Sequence, residues 1–321
     1  MIRRYDFAPL DGITKVVFRQ VYHRLFGGAD RYFIPFFSPT DQHILTKRDQ
    51  RELDPAANAG LHVVPQVMTR RAPDFLWAAE LVADMGYTEV NLNLGCPSGT
   101  VTAKGKGSGF LARPEELERF FDEVFASVKL PVSVKTRLGV KEPEEFERLL
   151  EIYNRYPIAC LTIHPRVQKQ FYKGTVHRDW FAWAAERSRN PLCYNGDLVT
   201  VEDCGAFAAD FPDVDAVMIG RGAIADPALL RKLHGGAPAT RQEIQDFTRT
   251  LYQSYQDFYG QAGPAAQRMK EVWFFLIHLF EGGERHDKKM RRLHTPAEYE
   301  AVEAAIFREL PLRDHAEGAF G

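Results

Sequence analysis

Short apolar runs alternate with stretches of helical periodicity through about residue 235. Runs at 5–10, 31–37, 62–68, 89–94, 132–136, 160–164, 192–195 and 216–219 predict eight strands. The clearest helix is predicted over 73–85. Pro73 suits a first helical position, Phe75, Leu76, Ala79 and Val82 form one stripe, and Gly86 suits the C-terminal cap. Segments 114–127 and 143–156 repeat that grammar, while the chain after Gly27-Gly28 looks irregular to about Gly60. Eight strand-helix units in about 235 residues is the count of an α/β (β/α)8 TIM barrel. A doubly wound sheet competes, but no G-x-G-x-x-G follows the first strand.

Beyond residue 240 the strand runs stop. Helices are predicted at 240–259, 265–280 and 296–310; in the middle one Met269, Val272, Trp273, Leu276, Ile277 and Phe280 keep helical spacing. This predicts a barrel domain over 1–236 and a helical C-terminal domain over 237–321, joined at a Gly-Gly-Ala-Pro turn.

Composition narrows the class. With 45% hydrophobic and 26% charged residues and a net charge of -2, the chain is globular, neither disordered nor a basic nucleic-acid coat. A local basic patch remains open, and 285–292 holds five basic residues in eight. The plainer reading of such a run is a solvated helix end. The apolar run WFFLIHLF has eight residues, against about 20 for a membrane span. The start, MIRRYDFAPLDG, lacks a signal-length apolar stretch, so a cytoplasmic protein is expected. A monomer is the default. Cys96, Cys160, Cys193 and Cys204 show no C-x-x-C spacing, so no metal site is expected. The last three sit among apolar neighbours and read as buried thiols.

In a barrel, chemistry lies at the C-terminal strand ends. Those ends carry Pro9-Leu10-Asp11, Gln66, Asn93-Leu94-Gly95-Cys96-Pro97, Lys135-Thr136-Arg137, His164-Pro165-Arg166, Asn195-Gly196-Asp197 and Gly220-Arg221-Gly222. The last two suit a phosphate, because glycine admits a backbone N–H to an anion and arginine adds charge. Their plainer reading is two glycine turns. Lys135 inside an apolar strand is costly without a partner, unless the strand end frays to solvent. His164 alone reads as a satisfied core histidine. Cys96 opens a glycine-rich stretch with Lys104 and Lys106, read as a mobile loop. Its thiol is a candidate proton donor, or else a buried small residue.

Together these motifs, with Ala8-Pro9-Leu10 and Met218-Ile219-Gly220-Arg221-Gly222, resemble the tRNA-dihydrouridine synthase family over about residues 5–310. The sequence departs from the family pattern at Leu10, where Met is common, and at Pro165, where Gly is common. The resemblance implies an FMN-bound barrel, reduced by NADPH, that converts a uridine of tRNA to 5,6-dihydrouridine. It implies that Pro9, Leu10, Asp11, Gln66, Lys135, His164, Asn195, Gly196, Asp197, Gly220 and Arg221 line the flavin. It implies that Cys96 protonates C5 after hydride reaches C6, and that the helical domain holds RNA. Asn93 and Arg166 are then expected at the uracil, and Arg268, Lys270, Arg291 and Arg292 on the tRNA. The loop from Cys96 to Val101 resembles the branch acting at position 16. A dihydroorotate- or dihydropyrimidine-type dehydrogenase of free pyrimidines is the rival in the same fold, and a non-catalytic RNA-binding barrel the rival in another class. The extra helical domain argues against the first, and the full set of strand-end residues against the second.

Overall fold

The computed structural model describes residues 2–318, so residues 1 and 319–321 of the expected domains lie outside the described residues. Nine strand segments form one parallel sheet. They are β1 Arg4–Phe7, β2 Arg31–Phe33, β3 Val63–Val64, β4 Gln66–Val67, β5 Val90–Leu94, β6 Val132–Gly139, β7 Leu161–Val167, β8 Leu192–Tyr194 and β9 Ala216–Ile219. Their order is β3-β2-β1-β9-β8-β7-β6-β5-β4. β3 and β4 flank Pro65, which has no N–H to give to a ladder. This one run pairs with β2 through β3 and with β5 through β4, so the sheet closes into a barrel. The eight expected strands are present, one of them broken at its proline.

Strand ends shift for local reasons. β2 stops at Phe33, just before Pro35, and Phe37 rejoins the sheet through a single bridge to Val67. β6 and β7 run three residues past their expected ends, carrying Arg137 and Arg166 into a stretch where the register between the two strands shifts. The stretch expected to be irregular after Gly28 contains the helix Lys47–Leu53, capped by Thr46. It is anchored by buried Glu52, which accepts from Val16 N–H and from Arg19.

Side chains alternate across a strand. On β5, Val90, Leu92 and Leu94 are fully buried in the large outer core shared with the helices. Asn91 and Asn93 therefore face the barrel axis. A smaller apolar cluster of Ala8, Phe33, Val64, Cys160, Cys193, Ala216 and Met218 fills part of the interior. The rest of that interior is polar, with Gln66, Asn91 and Ser133 in one register row, where branched apolar residues usually dominate.

The helix over Pro114–Ser127 shows the sequence logic plainly. Pro114 opens it, Glu115 and Glu116 complement its N-terminal dipole, and Leu117, Phe120, Phe121 and Val124 are buried. The helix expected over 143–156 is shorter, Glu145–Tyr153. The Glu145 carboxylate collects the N–H groups of Val140, Lys141 and Glu142, which ties the preceding turn down.

The C-terminal helices are Arg241–Tyr259, Ala262–Leu276, Glu284–Arg291 and Pro296–Glu309. Thr240 with Glu243, and Thr295 with Glu298, form capping boxes. Residues 236 and 237 lie in the turn before the first of these helices. Phe247 packs edge-on against Phe18 and Tyr22 of the first barrel helix, and one apolar cluster runs through both regions.

Candidate active site

The C-terminal strand ends open into a cavity of about 490 Å3. Its lining brings together Pro9, Leu10, Asp11, Gln66, Asn93, Cys96, Lys135, His164, Asn195, Gly196, Asp197, Gly220 and Arg221. Residues spread over more than 200 positions in the chain meet there because each ends a parallel strand.

Lys135 is directed inward by the alternation that sends Val134 outward. Its Nζ donates to Asn195 Oδ1 at 2.7 Å, and Asn195 Nδ2 donates to Met218 O at 2.7 Å. Burial lowers the Lys135 ammonium to about 7, with Arg137 adding to the effect. His164 is buried beside Arg137, Lys135, Arg166 and Arg221; burial and these charges hold its pKa well below the usual range, so the imidazole is neutral.

Asp197 joins two arginines. Its carboxylate accepts from Arg166 at 3.0 and 2.5 Å and from Arg221 at 2.7 Å. The set carries one net positive charge. Asp197 sits at φ +47°, a region that Asp tolerates better than most residues. Gly222 is required here: a Cβ would lie 2.5 Å from Leu198 O, so the two expected phosphate loops touch backbone to backbone.

Cys96 is half-buried. Burial pushes its thiol up, so it is protonated at neutral pH. Its N–H donates to Asn93 Oδ1 at 3.0 Å, and its carbonyl accepts from Ser108 N–H at 3.1 Å and Ser108 Oγ at 2.8 Å. The stretch read as a mobile loop is ordered by these bonds into short helical turns, Gly99–Thr102 and Gly107–Ala112. Gly107, at φ +56°, lets the chain approach; a Cβ would lie 2.8 Å from Cys96 O. Cys160, Cys193 and Cys204 are buried. The first two have charged neighbours rather than purely apolar ones: Arg4 donates to Cys160 Sγ at 3.2 Å, and Cys193 Sγ lies 4.0 Å from Asp6 Oδ2.

The residues expected to hold substrate are placed differently from one another. Asn93 lines the cavity, but its amide oxygen serves Gly95 and Cys96 N–H, and its Nδ2 donates to Gln66 Oε1 at 2.7 Å. Arg166, expected at the uracil, does not line the cavity. It is 2% exposed and occupied with Asp197, His164 and Gly174 O. Arg268 donates to Gly12 O and Glu271, and Lys270 to Leu293 O. Arg291 pairs with Asp287 and lies 4.6 Å over the ring of Phe274, which lines the cavity. Arg292 is exposed beside it.

The sequence reading gave no role to Phe171, Tyr172 or Phe274 of the cavity lining, and named Arg137 only as part of a strand end. Arg137 donates to Gly95 O at 2.8 Å and lies 5.3 Å over the ring of Tyr172. Tyr172 also receives Arg221 at 5.0 Å. Phe171 and Tyr172 are 48% and 47% exposed, large aromatic faces at the cavity rim. Phe274 reaches the rim from the C-terminal helices. The Phe171-Tyr172 dipeptide beside Lys169 and Lys173 was the available signal.

A family model described as dihydrouridine synthase matches residues 6–310. The chain belongs to the dihydrouridine synthase family. A probable tRNA-dihydrouridine synthase 1 of Synechocystis sp. is 30% identical over 282 residues, 83% of this chain and 76% of that one. A tRNA-dihydrouridine(16) synthase of Ralstonia nicotianae is 32% identical over 239 residues, 72% of this chain and 73% of that one. Among solved structures, morphinone reductase in complex with tetrahydroNAD superposes with a TM-score of 0.51 at 16% identity, covering 75% of this chain and 90% of that one. An old yellow enzyme homologue from Zymomonas mobilis gives 0.51 at 16%, covering 74% and 90%. At such identities the likeness is one of fold.

The cavity fits the flavin that the family resemblance implies. Among the described residues the Lys135 ammonium donates to Asn195 Oδ1, which leaves further hydrogens for an electron-rich ring edge. Arg221 and the closely apposed Gly196 and Gly220 loops supply positive charge and backbone for a phosphate. Ala8, Leu10 and Met218 add apolar wall. Among the described residues no group of three His, Cys, Asp or Glu is placed to hold a metal, and no helix is long and apolar enough to cross a membrane.

Proposed function

We propose that this chain reduces one uridine of tRNA to 5,6-dihydrouridine with a bound FMN that NADPH reduces. The observation that carries the reading is Cys96, a protonated thiol held by its backbone at the wall of the same cavity that buries Lys135. When bound, reduced FMN supplies the hydride that C6 of the uracil accepts.

The residues divide the remaining work. Lys135, Gln66, His164, Asn195 and the Pro9-Leu10-Asp11 turn would hold the flavin ring. Gly196, Asp197, Gly220 and Arg221 would hold its phosphate end, with Arg166 behind Asp197 as its support. Cys96 gives its proton to C5, and the thiolate regains one from solvent. Asn93 holds the Cys96 backbone and keeps one amide hydrogen for the uracil edge. The uridine leaves its stack to enter the cavity, as base-modifying chemistry requires. The exposed rings of Phe171 and Tyr172 offer stacking faces at the entrance.

RNA contact belongs to the rim. Overall charge is -2, so phosphate binding needs local charge. Arg291 and Arg292 lie beside Phe274, while Lys104 and Lys106 follow Cys96 in sequence. Arg268 ties its helix to the barrel through Gly12 O, and Lys270 bonds Leu293 O within the C-terminal helices. A free-pyrimidine dehydrogenase has no use for this rim. We read the target as position 16, on the Cys96 loop and the name of the Ralstonia relative, and the protein as a cytoplasmic monomer. The test is purified protein with FMN, NADPH and unmodified tRNA, read by mass-spectrometric mapping of dihydrouridine. Product at position 16 supports the reading; product on free uracil or orotate but not on tRNA overturns it.

A further inference from the structure

One set of polar side chains in the barrel interior forms an unbroken chain of hydrogen bonds. Arg31 donates to Glu89 Oε2 at 2.8 Å, and Ser133 Oγ donates to Glu89 Oε1 at 2.5 Å. Asn91 Nδ2 donates to Ser133 Oγ at 2.8 Å, Gln66 Nε2 to Asn91 Oδ1 at 2.8 Å, and Asn93 Nδ2 to Gln66 Oε1 at 2.7 Å. Asn93 Oδ1 then accepts the N–H groups of Gly95 and Cys96, both at 3.0 Å. Gln66, Asn91 and Ser133 are at most 1% exposed.

The chain has a direction, and Glu89 sets it. A carboxylate can only accept, so the Ser133 hydroxyl must donate to it. The Ser133 oxygen is then left to accept from Asn91, and each amide in turn must point its nitrogen toward Glu89 and its oxygen toward the cavity. Turning any one amide over would set donor against donor or acceptor against acceptor among buried groups, at a cost of about 1–3 kcal/mol. Branched apolar side chains would fill this space more cheaply. Four consecutive polar groups there need a reason beyond packing.

We propose that Glu89, Ser133 and Asn91 are positioning residues for the proton donor: they fix which way the Asn93 amide faces, and through it the place of the Cys96 backbone. The proposal rests on the role of Cys96 given above. None of the three lines the cavity, so none touches substrate or flavin. Glu89→Gln keeps the shape but removes the polarity. If the new amide keeps its oxygen on Arg31, its nitrogen donates to Ser133, the whole chain reverses, and the Asn93 nitrogen meets the Gly95 and Cys96 N–H groups.

The test uses Ser133→Ala and Glu89→Gln in the flavin-loaded protein, with Val134→Ala as a control. Val134 sits next to Ser133 but faces the outer core. Three readouts are taken: the pH profile of iodoacetamide alkylation at Cys96, single-turnover formation of dihydrouridine, and flavin content with NADPH oxidation. Both chain variants are expected to keep flavin and NADPH oxidation, to shift the alkylation profile, and to slow product formation about 10–100-fold, the range for a misplaced reacting group. Val134→Ala is expected to lose stability with neither effect. Wild-type alkylation and turnover in Ser133→Ala would overturn the proposal, and so would an equal slowing in Val134→Ala. If the wild-type protein makes no dihydrouridine, the functional reading falls, while the alkylation profiles still decide whether the chain positions Cys96.

Discussion

Lys135 offers the sharpest test of the site, because function and stability should pull it in opposite directions. Burial lowers its ammonium from 10.5 to about 7. At about 1.4 kcal/mol per pH unit, this places a penalty of about 5 kcal/mol on the folded, flavin-free protein. Between pH 7 and 10.5 the unfolded chain holds the proton and the folded one does not, so stability rises with pH across that window. Below pH 7 the penalty is fully present; above 10.5 it is gone. Lys135→Met keeps the length and removes the charge. It also strips Asn195 Oδ1 of its 2.7 Å partner, at a cost of about 1–3 kcal/mol. The flavin-free variant should therefore be more stable than wild type by about 2–4 kcal/mol near neutral pH. That advantage should shrink to nothing or reverse as the pH approaches 10.5. Urea unfolding of both flavin-free proteins at about pH 6.5 and about pH 9.5 measures it. FMN should then stabilise wild type far more than the variant. A variant less stable than wild type by the same amount at both pH values would refute the argument, since it would show Lys135 contributing as an ordinary packed side chain.

Cys96→Ala should keep its flavin and oxidise NADPH, yet lose about 10²–10⁴-fold in dihydrouridine formation; near wild-type product would remove Cys96 from the chemistry. Because burial raises that thiol, wild-type product formation should hold through neutral pH and fall only above the range of an ordinary cysteine, as a pH-rate profile would show. Gly222→Ala should fold poorly or lose flavin, since its Cβ would stand 2.5 Å from Leu198 O; a normal flavin titration would contradict the loop contact. Reversing Arg291 and Arg292 to Glu should weaken tRNA binding and flatten its dependence on log salt by about one unit per lost phosphate contact, with flavin content unchanged. Unaltered affinity across a salt series would move the RNA surface elsewhere.

The strand ends were readable because a parallel barrel imposes one rule on distant segments: whatever ends a strand meets at the mouth. Asn195 and Lys135 are sixty positions apart, yet both sit at strand ends, and they bond at 2.7 Å. Pairing between side chains was not readable. Nothing in His164-Pro165-Arg166 says that the arginine turns back onto Asp197 and Gly174 O instead of reaching substrate. That outcome depends on β7 continuing past Pro165 with a shift of register, since Arg137 pairs with His164 but Gly139 with Val167. Likewise Arg268 and Lys270 lie on a helix whose apolar face was legible, but their partners Gly12 and Leu293 come from segments that only the fold brings near.

The same limit explains the barrel interior. The alternation of Glu89, Asn91 and Asn93 with Val90, Leu92 and Leu94 is visible along the chain, and it marks one face of the strand as polar. On its own that pattern suits a strand with one face in water. A parallel barrel has no such face, so the polar side must turn inward and find partners there. Ser133 and Gln66 supply them in register on the neighbouring strands. A polar stripe on a buried parallel strand is therefore a signal in itself. It says that neighbouring strands carry matching donors and acceptors at the same level, and that the stripe leads to whatever ends the strand, which here is Cys96.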